Sequence, residues 1–276
     1  MERKVSIGVV LGLVFQIIAF GQEPIPEFPL IKPADTLVTK YFSQFGISDS
    51  VVKDGMWVTF YDNKALKELG QYKDGKKEGT WYKFSTMGTP YEVVQYKNDK
   101  YDGLRIIFDQ TTTRVKMQME YKDGQLDGLF VEYGNIGRPV TEAFYKNGQL
   151  HGPYRRFYQE GHIQELSYYV NGKKHGYSFW FYKNGNIAAM QKYENGVLNG
   201  PVIAFYENGK KKSEGNYVNG HLEGNWTEYY DNGQVKVKGN YSQGQKDGKW
   251  FYYDENGKIV KIEIYKEGKL IKTKNK

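Results

Sequence analysis

A column of acidic, amide and imidazole side chains recurs along the chain, one residue before each of nine evenly spaced glycines. Its members are Asp54, Glu78, Asp102, Asp127, His151, His175, Asn199, Glu223 and Asp247. Carboxylates and imidazoles are common metal ligands and general acids or bases. In a sheet of hairpins, equivalent positions lie two strands apart, about 9–10 Å, so two such imidazoles cannot share one zinc ion at bonds of about 2 Å. The column therefore predicts side chains that accept hydrogen bonds from turn amides.

The glycines that follow this column set the period of the chain. They are Gly55, Gly79, Gly103, Gly128, Gly152, Gly176, Gly200, Gly224 and Gly248, here called the repeat glycines. An aromatic residue follows each by five positions, and from the second glycine on a tyrosine precedes each by seven. A fixed period of this length indicates a repeat architecture, in which each unit buries its apolar surface against its neighbours.

One unit, from Tyr217 to Asn240, contains two alternating segments and two turn signals. Asn219-Gly220 and Asp231-Asn232-Gly233 mark the turns, and residues 226–230 alternate as a strand does. Because every connection is short, successive strands must pair antiparallel. The sequence predicts an all-β fold, an elongated twisted antiparallel meander of tandem 24-residue hairpins over 48–268, with about nine units and about 18 strands.

Two details of the units lead to local predictions. Gly70, Gly215 and Gly239 each lie two residues before a tyrosine, and a strand glycine often lets a neighbouring aromatic ring lie over it. We therefore expect aromatic rings in columns along the sheet. The unit over 96–120 lacks the second-turn glycine and has one extra residue, which predicts a bulge or a longer loop.

The N-terminus has a different composition. Residues 1–21 begin with charged residues at positions 2–4 and continue with an apolar run that ends at Ala19-Phe20-Gly21. This arrangement predicts a signal peptide that is cleaved after Gly21. A retained membrane anchor is the alternative. Residues 22–47 contain half of the prolines and predict a linker, and 269–276 predict a Lys-rich tail. The chain has no cysteine, so the expected exported protein, periplasmic or secreted, is neither disulfide-bonded nor a lipoprotein.

The charge is moderately basic, with a formal net value of +7. Most of the excess is lysine in turns. It favours solubility and protection of sheet edges, and weak attraction to an anionic lipid or polymer is the alternative.

The aromatic residues are the strongest candidates for binding. The candidates are Trp57, Trp81, Trp226, Trp250, Tyr158, Tyr182, Tyr206 and Tyr230. Neighbouring strand residues point to opposite faces, so both faces carry rings, and an exposed aromatic stripe could seat a protein or stack on sugars. The alternative is that the rings pack on each other and on lysine stems to hold a thin sheet together.

The pattern Tyr-x-Asn-Gly-x-x-x-Gly-x-Trp-x-x-Tyr-Tyr-x-x-Gly resembles the bacterial variant of the MORN repeat, the type found in the YwqK family of antitoxins. It is clearest over 145–265 and extends over roughly 55–268. The resemblance implies an elongated sheet of hairpins, a role in binding, and neutralisation of a toxin by direct contact. The predicted signal peptide would export the chain, whereas a conventional antitoxin acts inside the cell. An immunity-like role in the cell envelope would remain compatible with export.

The chain offers no combination of nucleophile, base and orienting group, and no Gly-rich phosphate loop. We therefore expect no enzyme, no cofactor, no metal and no nucleic-acid partner. The leading hypothesis is an exported scaffold that binds a protein, and a toxin that it neutralises is one candidate partner. The alternatives are binding to cell-wall polysaccharide through aromatic stripes and peripheral association with an anionic membrane.

Overall fold

The computed structural model describes residues 53–276. The signal peptide and linker predicted for 1–47, and the predicted start of the array at 48, lie outside these residues. The described strands are β1 (Gly55–Phe60), β2 (Leu66–Lys73), β3 (Lys76–Phe84), β4 (Pro90–Lys97), β5 (Lys100–Phe108), β6 (Val115–Lys122), β7 (Gln125–Tyr133), β8 (Pro139–Lys146), β9 (Gln149–Phe157), β10 (Ile163–Val170), β11 (Lys173–Lys174), β12 (Gly176–Phe181), β13 (Ile187–Glu194), β14 (Val197–Phe205), β15 (Lys211–Val218), β16 (His221–Leu222), β17 (Gly224–Tyr229), β18 (Val235–Ser242), β19 (Gln245–Tyr253), β20 (Ile259–Lys266) and β21 (Lys269–Asn275).

All 21 strands belong to one sheet. Each strand pairs antiparallel with the next, as β3 does with β2 and β4. Two strands are interrupted: β11 and β12 both pair with β10, and β16 and β17 both pair with β15. The predicted antiparallel meander of 24-residue hairpins is confirmed, and the interruptions and β21 account for the difference from the expected 18 strands.

One kind of connection is a two-residue turn, which most of the hairpins form at an Asn-Gly or Asp-Gly pair. Both residues have positive φ, for example 49° at Asn219 and 83° at Gly220. Two successive positive φ values define the type I′ turn, whose twist matches that of paired strands. Asn98 and Asp99 form the same turn without glycine, at 50° and 67°. The predicted first-turn signals are therefore confirmed.

The other kind of connection is a five-residue loop, as at 134–138. In this loop the Gly134 N–H donates to the Arg138 carbonyl, and the Gly137 N–H donates to the Gly134 carbonyl. The loop at 109–114 has the same pattern with one more residue, since the Asp109 N–H donates to the Arg114 carbonyl at 2.8 Å. The longer loop predicted for this unit is confirmed.

The sheet has two faces that pack differently. The face that carries Trp57, Trp81, Trp226 and Trp250 is here called the tryptophan face. It holds a cluster of Tyr72, Trp81 and Val94. The opposite face holds a cluster of Val93, Ile106 and Phe108. Because successive strand residues alternate between faces, the neighbours Val93 and Val94 belong to different clusters.

The Lys-rich tail predicted for 269–276 is wrong as a separate segment. Residues 269–275 form β21, which pairs with β20 along its length. Lys266 pairs with Lys269 next to the turn, and Lys261 pairs with Asn275 at the far end. The segment is rich in lysine, as predicted. It forms a strand because it follows another tight turn at Glu267-Gly268, where both φ values are positive. That turn was not among the glycine pairs used to predict hairpins.

Candidate functional site

Six side chains of the column before the repeat glycines accept hydrogen bonds from turn amides, as predicted. Glu223 accepts a hydrogen bond from the Gln243 N–H at 2.8 Å, and Asp127 accepts one from the Asn147 N–H at 2.9 Å. The Nδ1 atom of His151 lies 3.4 Å from the Asn171 nitrogen, which donates to it. Among residues 53–276, no group of three or more His, Cys, Asp or Glu side chains could hold a metal ion.

Two of the predicted binding tryptophans are core residues. Trp81 exposes 0% and Trp250 exposes 1% of its surface. Trp81 lies over Gly70 and meets the rings of Tyr72 and Tyr96 edge-on. The ring predicted to cover this strand glycine is confirmed. Burial leaves these two tryptophans little surface for a partner, and their contacts hold the sheet together.

A lysine side chain covers the solvent-facing side of each of these two indole rings. The Nζ atom of Lys77 lies 3.9 Å from the Trp81 ring centroid, and that of Lys246 lies 4.1 Å from the Trp250 centroid. A cation over an indole face is stabilised by the ring quadrupole, and the lysine stem shields the ring from water. The tryptophan face is thus self-covered along these units.

The other two predicted tryptophans are half-buried. Trp226 lies over Gly215, and its Nε1 donates to the Glu228 carboxylate at 3.0 Å. Trp57 lies under Lys53, whose Nζ is 4.3 Å from its ring centroid. Both rings therefore have structural contacts, and a role in binding a partner stays a prediction.

The four predicted tyrosines form a hydrogen-bonded series between loops. Each hydroxyl donates to the carbonyl of the residue that ends the equivalent strand in the next unit. The pairs are Tyr158 to Phe181, Tyr182 to Phe205, Tyr206 to Tyr229 and Tyr230 to Tyr253, at 2.7–2.8 Å. These half-buried hydroxyls link neighbouring units, so their partner-binding role also stays a prediction.

Carboxylates on the tryptophan face are held by ion pairs. Glu92 is bonded to Lys83 at 2.7 Å and to Arg105 at 2.6 Å. Burial acts to raise the pKa of Glu92, but the hydrogen bonds and charges of these two cations together hold it below its usual value. Such a carboxylate stays charged at neutral pH and has no spare proton for acid catalysis.

The opposite face changes character along the chain. Around β4 and β5 it is apolar and closely packed. Around β15 to β18 it forms an open polar groove of about 730 Å³, lined by Glu214, Asn216, Asn225, Thr227 and Lys238 among others. The Glu214 carboxylate is already bonded to the hydroxyl of Tyr229 and to Lys211.

Sequence reasoning missed an exposed pair, Tyr168 and Tyr177, which lie on this opposite face with 44% and 46% of their surfaces exposed. Tyr168 precedes a repeat tyrosine and Tyr177 follows a repeat glycine. The equivalent residues in the unit of Tyr217 are Asn216 and Asn225. Comparison of units position by position could have revealed this local replacement of polar by aromatic residues.

Residues 53–276 contain no helix long and apolar enough to span a membrane. The family model described as "MORN repeat variant" matches six segments that together cover half of the chain, at 53–74, 150–171, 174–197, 198–219, 222–243 and 246–272. No curated protein matches the chain.

Several solved structures share a weak likeness. "Crystal Structure of TcdB2-TccC3-Cdc42" is 10% identical with a TM-score of 0.18, and the match covers 80% of this chain and 14% of that one. A Photorhabdus luminescens Tc holotoxin pore is also 10% identical with a TM-score of 0.18, covering 77% and 13% of the two chains. A porin-like protein from Bacteroides uniformis is 8% identical with a TM-score of 0.15, covering 79% and 92%. The chain thus spans about one seventh of the length of the first of these.

Proposed function

The chain belongs to the MORN repeat variant family, and on that basis we propose that it is an exported, non-enzymatic scaffold that binds a protein partner along its sheet. Repeat arrays present extended surfaces, and their units are stabilised by neighbours. Here the turn glycines form the hairpin connections, and the tryptophans and the loop tyrosines carry much of the packing. The exposed positions between them can contact a partner.

The observation that carries the proposal is that large apolar side chains are exposed at many separate points of the sheet and its loops. They extend from Met56 to Ile271, which expose 64% and 62% of their surfaces. Scattered apolar residues do not form a small-molecule site, which needs a concave and mostly apolar pocket, whereas a macromolecule can contact several of them at once. Protein interfaces of standard size bury about 800 Å² on each partner, an area that several adjacent strands can supply.

A capture experiment tests this function. The mature chain, residues 22–276, carries a tag before Gln22, because β21 ends one residue before the C-terminus. We expect an envelope extract of the source cell to yield one stoichiometric protein, which the purified chain then binds in calorimetry. Three variants, Met56→Ser, Tyr168→Ser and Ile271→Ser, sample separate parts of the sheet, and one of them should weaken binding.

The finer parts of the proposal have tests of their own. N-terminal sequencing of the native protein should begin at Gln22 if the signal peptide is cleaved. If the captured partner stops growth when it is expressed alone, and co-expression of this chain restores growth, the role is neutralisation of a toxin. Retention of only polysaccharide or lipid by the chain would overturn the protein-binding proposal.

A further inference from the structure

Tyr168 and Tyr177 differ from every other tyrosine that the structure describes. They alone are exposed, and no residue within 53–276 hydrogen-bonds to either hydroxyl. They lie on the neighbouring strands β10 and β12, close to the point where Leu166 pairs with Phe179 and the His175 N–H donates to the Tyr168 carbonyl at 2.8 Å. Two exposed tyrosines with free hydroxyls are thus held on neighbouring strands of one face, and the Tyr177 ring also contacts Phe179.

The pair is the centre of a line of side chains across five neighbouring strands, here called the tyrosine patch: Phe144, Pro153, Tyr168, Tyr177 and Lys192. Pro153 pairs with Tyr168, and Tyr177 pairs with Lys192. Phe144 packs over Gly152, where an added Cβ atom would come within 3.1 Å of it. The Nζ atom of Lys192 lies 5.8 Å from the Tyr177 ring centroid and closes the line with a positive charge.

The spacing of the tyrosine patch matches one peptide conformation. Phe144, Tyr168 and Lys192 lie on strands two apart, and two strand spacings are about 9.4–9.8 Å. A polyproline II helix rises about 3.1 Å per residue with three residues per turn, about 9.3 Å. A peptide in this conformation that crosses the strands would therefore present every third residue to Phe144, Tyr168 and Lys192 in turn.

The chemistry of the patch selects among such peptides. Proline-rich segments bind grooves lined by aromatic rings, and their preformed helix loses little entropy on binding. The tyrosine hydroxyls can donate to the peptide carbonyls, which make no internal hydrogen bonds in this helix. At the end of the line, Lys192 favours a carboxylate over an ammonium group.

We propose that the tyrosine patch binds a proline-rich segment of the partner protein, in the polyproline II conformation, with prolines three residues apart and an acidic residue three residues before or after them. The segment's prolines contact Phe144 and Tyr168, and its carboxylate pairs with Lys192. This inference rests on the proposed function, because it specifies the chemistry of the protein that binds.

Fluorescence anisotropy with a defined probe tests the patch. The probe is a fluorescein-labelled, acetylated peptide of one glutamate followed by eight prolines, and a peptide that begins with lysine is its charge-reversed counterpart. We expect residues 22–276 to bind the glutamate peptide more tightly. The variant Tyr168→Ser/Tyr177→Ser should lose about tenfold or more in affinity, as removal of central aromatic contacts does.

Charge reversal supplies a test that does not depend on the packing of the tyrosines. Lys192→Glu should reverse the preference between the two peptides. Lys249→Glu is the control: Lys249 is also an exposed lysine on the same face, far from the tyrosine patch and at the position equivalent to Tyr177, and none of the residues 53–276 forms an ion pair with it. The control should bind as the unchanged chain does.

Several results would overturn the inference. They are equal binding of the glutamate peptide by the unchanged chain and the double tyrosine variant, no change of preference in Lys192→Glu, and retention of cell-wall polysaccharide through the tyrosines without peptide binding. Capture of the same partner protein by the unchanged chain and the double tyrosine variant would also reject the patch. That last outcome would leave the proposed protein-binding function standing, so the two failures are distinguishable.

Discussion

Trp81 covers Gly70 so closely that a Cβ atom on this glycine would overlap the indole ring. The same relation holds for two further pairs across neighbouring strands, Trp226 with Gly215 and Trp250 with Gly239. Units with a smaller ring have a larger partner at the glycine position. In these units Tyr154 pairs with Ala143 and Phe130 pairs with Met119. In these five pairs a smaller ring is therefore matched by a larger partner, so that the two residues share one volume, as expected for a closely packed interior.

Replacement of Gly239 by Ala tests this shared volume. Because the new Cβ atom would overlap the Trp250 ring, we expect a loss of about 1–3 kcal/mol in the free energy of unfolding, typical of overpacking. Urea unfolding followed by tryptophan fluorescence measures it. The double variant Gly239→Ala/Trp250→Tyr recreates the pair seen at Ala143 and Tyr154, and it should lose less than the sum of its single variants. Additive losses would contradict the shared volume.

The sequence predicts these glycine pairs, the tight turns and the amide-binding column because all of them depend on residues at fixed spacing within one period. Exposure is harder to predict, since it depends on which side chain covers which ring. Trp81 is buried by Tyr72, Tyr96 and Lys77, which come from three strands. Tyr168 and Tyr177 stay exposed although aromatic and lysine side chains lie on the neighbouring strands. Such differences between units are invisible in the average repeat.

The loop tyrosines should contribute to stability through their hydroxyls. In Tyr206→Phe the Tyr229 carbonyl loses the donor that lies 2.7 Å away, so we expect a loss of about 0.5–1.5 kcal/mol in the free energy of unfolding. Tyr177→Phe is the control, since no residue within 53–276 bonds to its hydroxyl. The midpoint of urea unfolding should fall for the first variant and stay unchanged for the second. Equal midpoints would mean that the hydroxyl series has no net effect.

The stability of the C-terminal units should fall in acid. The Glu263 carboxylate accepts hydrogen bonds from Tyr252 at 2.5 Å and Tyr265 at 2.9 Å, and it pairs with Lys261 at 2.9 Å. The bonds from Tyr252 and Lys261, in that order, are the main causes that lower the pKa of Glu263 from 4.5 to about 2. Because the folded state lowers this pKa, the stabilisation is complete above about pH 4.5 and is lost as the pH falls towards 2.

Unfolding midpoints at pH 7, 4, 3 and 2.5 measure this dependence. Glu263→Gln should be less stable at pH 7 and should show a flatter decline between pH 4.5 and 2, because the carboxylate that takes up the proton is gone. Glu255→Gln is the control, since Glu255 is an exposed loop residue. A decline as steep in Glu263→Gln as in the unchanged chain would assign the acid sensitivity to other carboxylates.

The last strand should protect the edge of the sheet. In β21, Lys272 and Lys274 pair with Ile264 and Ile262 of β20. An unpaired edge offers free N–H and C=O groups to other chains, and lysine on the edge opposes such pairing. Truncation after Gly268 makes β20 the edge, with its isoleucines uncovered, and we expect earlier elution in size-exclusion chromatography and a rise in light scattering. The full-length variant Lys272→Gln/Lys274→Gln keeps the strand and removes two charges. It therefore separates the effect of covering β20 from the effect of the lysine charges. Elution of the truncated chain at the volume expected for its smaller mass would contradict this prediction, because it would show that an uncovered β20 does not associate with other chains.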